Sequence, residues 1–266
     1  MNERSYLVTD VRDHVGTIVF NRPQRKNALC IEMLLEIHET LGEWAQKDDV
    51  RCVVITGGEC AAFSSGYDIS SIPTNMTPEL ERFMRTSNPL ETALDSVWLY
   101  PYPTIAMMNG YAFGAGLNLA MCCDMRIAVD SVKVGMPPAR LGLVYHPEGL
   151  RRFVEVVGMA RTREIFFTAR TYEGEEALAM HMVDRLVPAG RLGDVVYETA
   201  RSIAENAPLS LKGTKRILAM LSERSRLIPE QMREAERLMN EAYNSSDLKE
   251  GQTAFFEKRR PNFTGT

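Results

Sequence analysis

The sequence lacks any pair of cysteines at C-x-x-C spacing, and its five cysteines are an odd number. That excludes a zinc-ribbon ligand set or a paired redox motif. Cys122 and Cys123, adjacent in an apolar run, read as small buried hydrophobes in a reducing compartment. Four histidines, at 14, 38, 146 and 181, are too scattered for a His-based cluster, so no metal is expected. A basic surplus is also missing: the net charge is −4, which argues against nucleic acid as a partner. The first residues do not show a basic stretch followed by an apolar one, so no secretory signal is expected and a cytoplasmic location is. Neither G-x-x-x-x-G-K-[ST] nor G-x-G-x-x-G occurs, which disfavours the nucleotide folds those loops define.

One stretch imitates a membrane span. From Ser96 to Cys123 no Asp, Glu, Lys, Arg or His occurs in 28 residues. Pro101, Pro103, Asn109, Gly110, Gly114, Gly116 and Asn118 interrupt it, so it never offers the roughly 20 continuous apolar residues a spanning helix needs. It reads as the centre of a soluble core, and no membrane partner is expected.

What is present is ordinary globular composition, 45% hydrophobic and 25% charged over 266 residues. That length fits one large domain, or one with an appended helical piece. Val8–Val11 and Gly16–Phe20 read as a hairpin, and apolar residues Ile31, Leu34, Leu35, Leu41 and Trp44 place an amphipathic helix over 28–44. Short strands at Cys52–Thr56, Thr104–Met108 and Met125–Val129, with a helix over 114–123, predict parallel crossover units and an α/β core over 1–190. Beyond Pro188 only helices follow, at 195–204, 209–221, 229–242 and 248–258, the last with Asp247 as its expected N-cap. This 191–266 region is expected to lie across a neighbouring subunit or back over the core.

Two glycine-containing segments carry the chemistry. Phe63-Ser64-Ser65-Gly66-Tyr67-Asp68-Ile69 follows a strand and its loop, and its small residues let a ligand approach backbone. Asn109 to Ala120 passes from strand through a glycine turn into a helix, whose first N–H groups stand unpaired at the positive end of a dipole. One N–H from each segment would form an oxyanion hole; glycines that merely make tight turns are the alternative.

Asn21-Arg22-Pro23 with Asn27-Ala28-Leu29, the Ser65–Ile69 loop, the 109–124 passage, Arg140-Leu141-Gly142 and the terminal Phe256-Glu257-Lys258-Arg259 with Pro261 and Phe263 together resemble the enoyl-CoA hydratase/isomerase (crotonase) superfamily. The resemblance implies a crotonase-like (ClpP/crotonase) α/β core of repeated ββα units, a C-terminal helical trimerisation region, and a homotrimer or dimer of trimers. It implies an acyl-CoA substrate whose thioester oxygen lies between the N–H groups of Tyr67 and Ala115, with coenzyme A entering as part of the substrate and no separate cofactor. Arg25, Lys26, Ala28, Ser65, Gly66, Asp68, Ile69, Gly114 and Lys258 are expected around the coenzyme A and thioester groups. Arginine suits bidentate phosphate contacts and lysine acts as a point charge.

The chain departs from the hydratase pattern at both glutamates. Asn118 stands in one place and Pro138 in the other, and neither accepts a proton near neutral pH. Downstream, Tyr145, His146 and Glu148 are the candidate replacements. An imidazole titrates close to neutrality, while Glu148 is expected either as a base or as the residue orienting His146. Tyr145 resembles a tyrosine of the methylmalonyl-CoA decarboxylase branch, as do Asn88-Pro89-Leu90 and the 243–251 ending, although that branch carries a histidine at position 67. Glu91 and Asp95, four apart, share one helix face, which either is solvated or lines the acyl pocket, the solvated face being the commoner case. An enzyme stabilising a thioester enolate is therefore expected, with isomerase or decarboxylase chemistry preferred. The alternatives are a hydratase with another base, and a non-catalytic CoA-binding or assembly protein.

Overall fold

Asp13 and His14, at φ 50° and 63°, close a two-residue turn between β1 (Leu7–Arg12) and β2 (Val15–Phe20). In the computed structural model, which describes residues 5–68, 88–222 and 228–264, this hairpin forms one edge of a six-stranded sheet. After α1 (Ile31–Lys47) one path repeats three times: a strand in the large sheet, a strand in a smaller sheet, then a helix. The units are β3 (Cys52–Thr56), β4 (Ala62–Ser64) and α2 (Pro89–Trp98); β5 (Thr104–Met108), β6 (Tyr111–Phe113) and α3 (Ala115–Cys122); β7 (Met125–Val129), β8 (Lys133–Gly135) and α4 (Pro147–Val157). There follow α5 (Met159–Thr168), β9 (Thr171–Glu173), α6 (Gly174–Ala179) and β10 (Arg185–Val187).

The large sheet runs β1-β2-β3-β5-β7-β10 and is parallel except at the hairpin. The small sheet runs β4-β6-β8-β9 and is antiparallel only at β8–β9. β3 is buried at all five positions, as a parallel strand covered on both faces must be. The charge-free stretch supplies α3, which is buried along its whole length, and Cys122 and Cys123 are indeed core residues. No helix among the described residues is long and apolar enough to cross a membrane.

Two local expectations need correction. The first helix starts at Ile31, because Asn27 is held at φ 53° with its amide donating to the carbonyls of Gly57 and Ala62, and Leu29 pairs as a strand with Tyr67. Its core face is Met33, Leu34, Ile37, Leu41 and Trp44, while Ile31 and Leu35 point outward. The last helix is capped by Ser245, whose hydroxyl accepts from the Leu248 N–H, and not by Asp247. Asp247 instead accepts from the Thr264 N–H.

The four C-terminal helices are α7 (Leu192–Ala204), α8 (Pro208–Ser222), α9 (Pro229–Tyr243) and α10 (Ser246–Glu257). α7 buries Val195, Val196, Ala200 and Ala204. α8 is tied to the chain's own core by Lys212–Asp48 (2.9 Å) and Lys215–Asp124 (2.6 Å). α10 folds back onto the Leu141-Gly142 turn so closely that a Cβ on Gly251 would stand 2.8 Å from the Leu141 backbone.

Candidate active site

The two glycine segments meet where the small sheet hands over to α3. β4 pairs in parallel with β6, Ser64 opposite Ala112, so the 65–68 loop and the 113–115 turn leave adjacent strands side by side. Gly66, at φ +103°, passes so near the turn that a Cβ there would lie 2.8 Å from the Phe113 carbonyl oxygen and 3.6 Å from the Ala115 nitrogen. A side chain would also be strained at that φ, so glycine is required twice over. Behind the loop the 25–29 segment acts as a brace. The Ser65 N–H donates to the Lys26 carbonyl (3.0 Å), and the Ser65 hydroxyl reaches the Arg25 carbonyl. The Leu29 N–H donates to Gly66 O (2.8 Å), and the Asp68 N–H to Leu29 O (3.0 Å). Asp68 itself pairs with Arg22 at 2.8 Å.

This bracing uses the backbone of residues 65, 66 and 68 and leaves the Tyr67 N–H without an acceptor among the described residues. The Ala115 N–H is the first of α3 and has no intrahelical partner. Gly114 sits before it at φ 53°, its own N–H held by the Gly135 carbonyl. Arg25 and Lys26 are exposed, Ala28 is half-buried, and Ile69 lies outside the described residues. Lys258 is the exposed C-cap of α10, whereas Arg259 beside it is engaged by Glu250 and Glu257.

One turn into α3, the buried Asn118 donates its Nδ2 to the Tyr145 hydroxyl at 3.0 Å. The Tyr145 ring rests on Phe166, and Gly149 makes room for it, since a Cβ at 149 would collide with the ring. Desolvation, with the charge of Glu91 adding to it, holds the Tyr145 phenol well above the ordinary tyrosine range. The hydroxyl thus stays protonated, accepts from Asn118 and has its own proton to give. Tyr67 and Tyr243 are likewise raised by desolvation, Tyr67 next by the neighbouring Tyr243 and Tyr243 next by Glu91. The end of α9 therefore lies close to the site, a proximity no sequence spacing announced.

His146 is the N-cap residue of α4. The carboxylate beside it is not Glu148: its Nδ1 faces Glu91 Oε1 of α2 at 3.6 Å. Glu148 is bound to Arg151 at 2.7 Å, within the first turn of α4. The expectation of a solvated Glu91–Asp95 face fails at Glu91, which is largely buried, while Asp95 stays half exposed. Both acids grip Arg152, whose side chain is fully buried, Glu91 at 3.0 Å and Asp95 at 2.6 Å. Sequence reasoning missed Arg152 entirely. The available signal was the i, i+4 acid pair behind the Asn88 cap, which needed a cation from elsewhere in the chain. Among the described residues, three of the five buried side-chain atoms without a hydrogen-bond partner sit here: Asn118 Oδ1, His146 Nδ1 and Arg152 Nε. Such orphans are rare in native interiors.

Repeated ββα units whose second strands bring a glycine loop against a helix N-terminus define the crotonase class. Residues 10–266 match the enoyl-CoA hydratase/isomerase family, and the chain belongs to it. A short-chain-enoyl-CoA hydratase from Clostridium acetobutylicum is 30% identical over 258 residues, 97% of either chain. The methylmalonyl-CoA decarboxylase of Escherichia coli is 28% identical over 252 residues, 94% of this chain and 95% of that one. A solved structure of methylmalonyl-CoA decarboxylase complexed with 2S-carboxypropyl CoA superposes with a TM-score of 0.91 at 27% identity, covering 99% of this chain and 100% of the other. The protein is thus an acyl-CoA enzyme of this superfamily.

Proposed function

We propose that this enzyme decarboxylates a 2-carboxyacyl-CoA thioester. The observation that carries the reading is the Asn118–Tyr145 pair, which stands where a hydratase of this family would need a proton-accepting carboxylate. The likeness to methylmalonyl-CoA decarboxylase in both sequence and fold supports it. In this reading the thioester oxygen lies between the N–H groups of Tyr67 and Ala115. The bond from Cα to the carboxylate breaks, its electron pair enters the enolate, and carbon dioxide leaves. No base is needed for that step. Tyr145 donates its hydroxyl proton as a hydrogen bond to the reacting acyl group, and Cα then takes a proton from His146. Glu148 serves by holding Arg151, not as the base. Arg25, Lys26 and Lys258 face the phosphates of coenzyme A, and Leu209, Ile217, Leu218 and Leu221, exposed on α8, cover one another in a homotrimer or dimer of trimers.

The test is turnover of methylmalonyl-CoA, 3-enoyl-CoA and 2-enoyl-CoA by the natural chain and Tyr145→Phe. Decarboxylation is expected to dominate and to fall about 100-fold in the variant, the scale of losing one well-placed donor. Faster hydration of 2-enoyl-CoA than decarboxylation overturns the proposal. Double-bond isomerisation is the second reading, favoured by an imidazole lying beside a carboxylate.

A further inference from the structure

We infer that Glu91 is a positioning residue that fixes the proton of His146 on Nδ1 and thereby makes Nε2 the atom that exchanges a proton with the substrate α-carbon. The inference rests on the thioester-enolate reading and adds a residue to it. Glu91 cannot swing away from the imidazole. Its Oε2 is held at 3.0 Å by Arg152, a side chain with no exposed surface, and α2 presents it on a turn started by the Asn88 cap and Pro89. Only 13% of its side chain is exposed, so its remaining oxygen, Oε1, has little water to turn to.

Nδ1 of His146 is buried and has no hydrogen-bond partner, with that oxygen 3.6 Å away. The gap is just beyond hydrogen-bond reach, and catalytic contacts of this length tighten when substrate closes a site. A carboxylate opposite Nδ1 favours the tautomer that carries its proton there. Nε2 then either accepts a proton from Cα, giving an imidazolium that Glu91 balances, or as Nε2–H returns one to the enolate carbon. In the forward step the electron pair left by carbon dioxide forms the new C–H bond, and the neutral imidazole is recharged from water.

Glu91 is the charged group paired with His146; around it, Glu91 and Asp95 of α2 hold Arg152 of α4, Glu148 holds Arg151, and the phenols of Tyr145 and of Tyr243 in α9 feel the charge of Glu91. Arg152 and Arg151 are already matched by acids, which leaves Glu91 Oε1 as the charge in line with Nδ1.

The experiment is exchange of the α-hydrogens of propionyl-CoA in D2O, followed by NMR and run beside carbon dioxide release from methylmalonyl-CoA. Exchange needs the enolate and the proton carrier but no decarboxylation, so the two proposals fail separately. In Glu91→Gln the amide oxygen still accepts from Arg152 while its NH2 points at Nδ1 and imposes the opposite tautomer. Exchange is expected to fall about tenfold or more in Glu91→Gln and about 100-fold in His146→Gln, the range of general acid–base catalysis. Carbon dioxide release and the KM for the thioester should change far less in Glu91→Gln, and Glu91→Asp should recover part of the exchange. His146→Gln leaves the Arg152 pairs untouched and guards against a folding defect in the other variant. Exchange at the natural rate in either Gln variant, or none in the natural chain, overturns the inference. Exchange without decarboxylation upholds it and refutes the proposed reaction alone.

Discussion

Gly66→Ala is the sharpest perturbation of the proposed oxyanion site, because it acts on geometry without touching a polar group. At φ +103° an L side chain costs about 1–3 kcal/mol in backbone strain. The new methyl would also sit 2.8 Å from the Phe113 carbonyl, and that strand cannot retreat freely because Phe113 is registered against Gly135 in the small sheet. Overpacking of this kind adds about 1–3 kcal/mol. For a chain of this size each kcal/mol lowers Tm by about 2–4 °C, so a fall of at least about 4 °C is expected by differential scanning fluorimetry. The wedge separates the 66–67 peptide from the head of α3, which removes one of two donors to the developing enolate oxygen. That predicts a loss of about 10²–10³ in kcat, or roughly 3–4 kcal/mol, with KM nearly unchanged. A variant that melts earlier but turns over at the natural rate would show that the Tyr67 N–H does not serve the reaction. A variant normal in both respects would refute the close approach itself.

Arg152→Leu strands Glu91 with little solvent and should cost about 3–5 kcal/mol in urea denaturation; Glu91→Leu in the same chain should restore part of it, and strict additivity would refute the coupling. Glu250, held by Arg259 and then by the Asn262 N–H, is depressed from 4.5 to about 2. A lowered folded pKa gives a contribution complete above 4.5 and lost as pH falls toward about 2. Protection factors of the amides in 258–264, taken relative to intrinsic exchange at each pH, should therefore fall over that window in the natural chain and not in Glu250→Gln. Cys52 and Cys122 are pushed by burial up to about 12, and Cys30 and Cys123 are buried too, so native thiol titration at pH 8 should find Cys60 alone reacting fast. Two fast thiols would contradict the packing of β3, of α3 or of the start of α1.

The sequence by itself determined the layout of the core and the backbone part of the site. Strand and helix periods are local, glycines at 66 and 116 mark places where two segments approach closely, and Gly114 marks a turn at positive φ, so a reader of residues alone can find the loop, the turn and the helix that follows. It also determined what is missing, since Asn118 and Pro138 lack a titratable carboxylate in any fold. Tertiary structure alone decided which side chains meet. Glu91 and Asp95 look like a solvated pair because nothing within a helical turn neutralises them; their cation, Arg152, is about sixty residues away and reaches them only because α2 and α4 both pack on α3. The same packing put His146 beside Glu91 and drew Glu148 to Arg151, and it brought Tyr243 from the far end of the chain to Tyr67. Charges are exchanged between partners by distance in space, and that distance has no local signature in the chain.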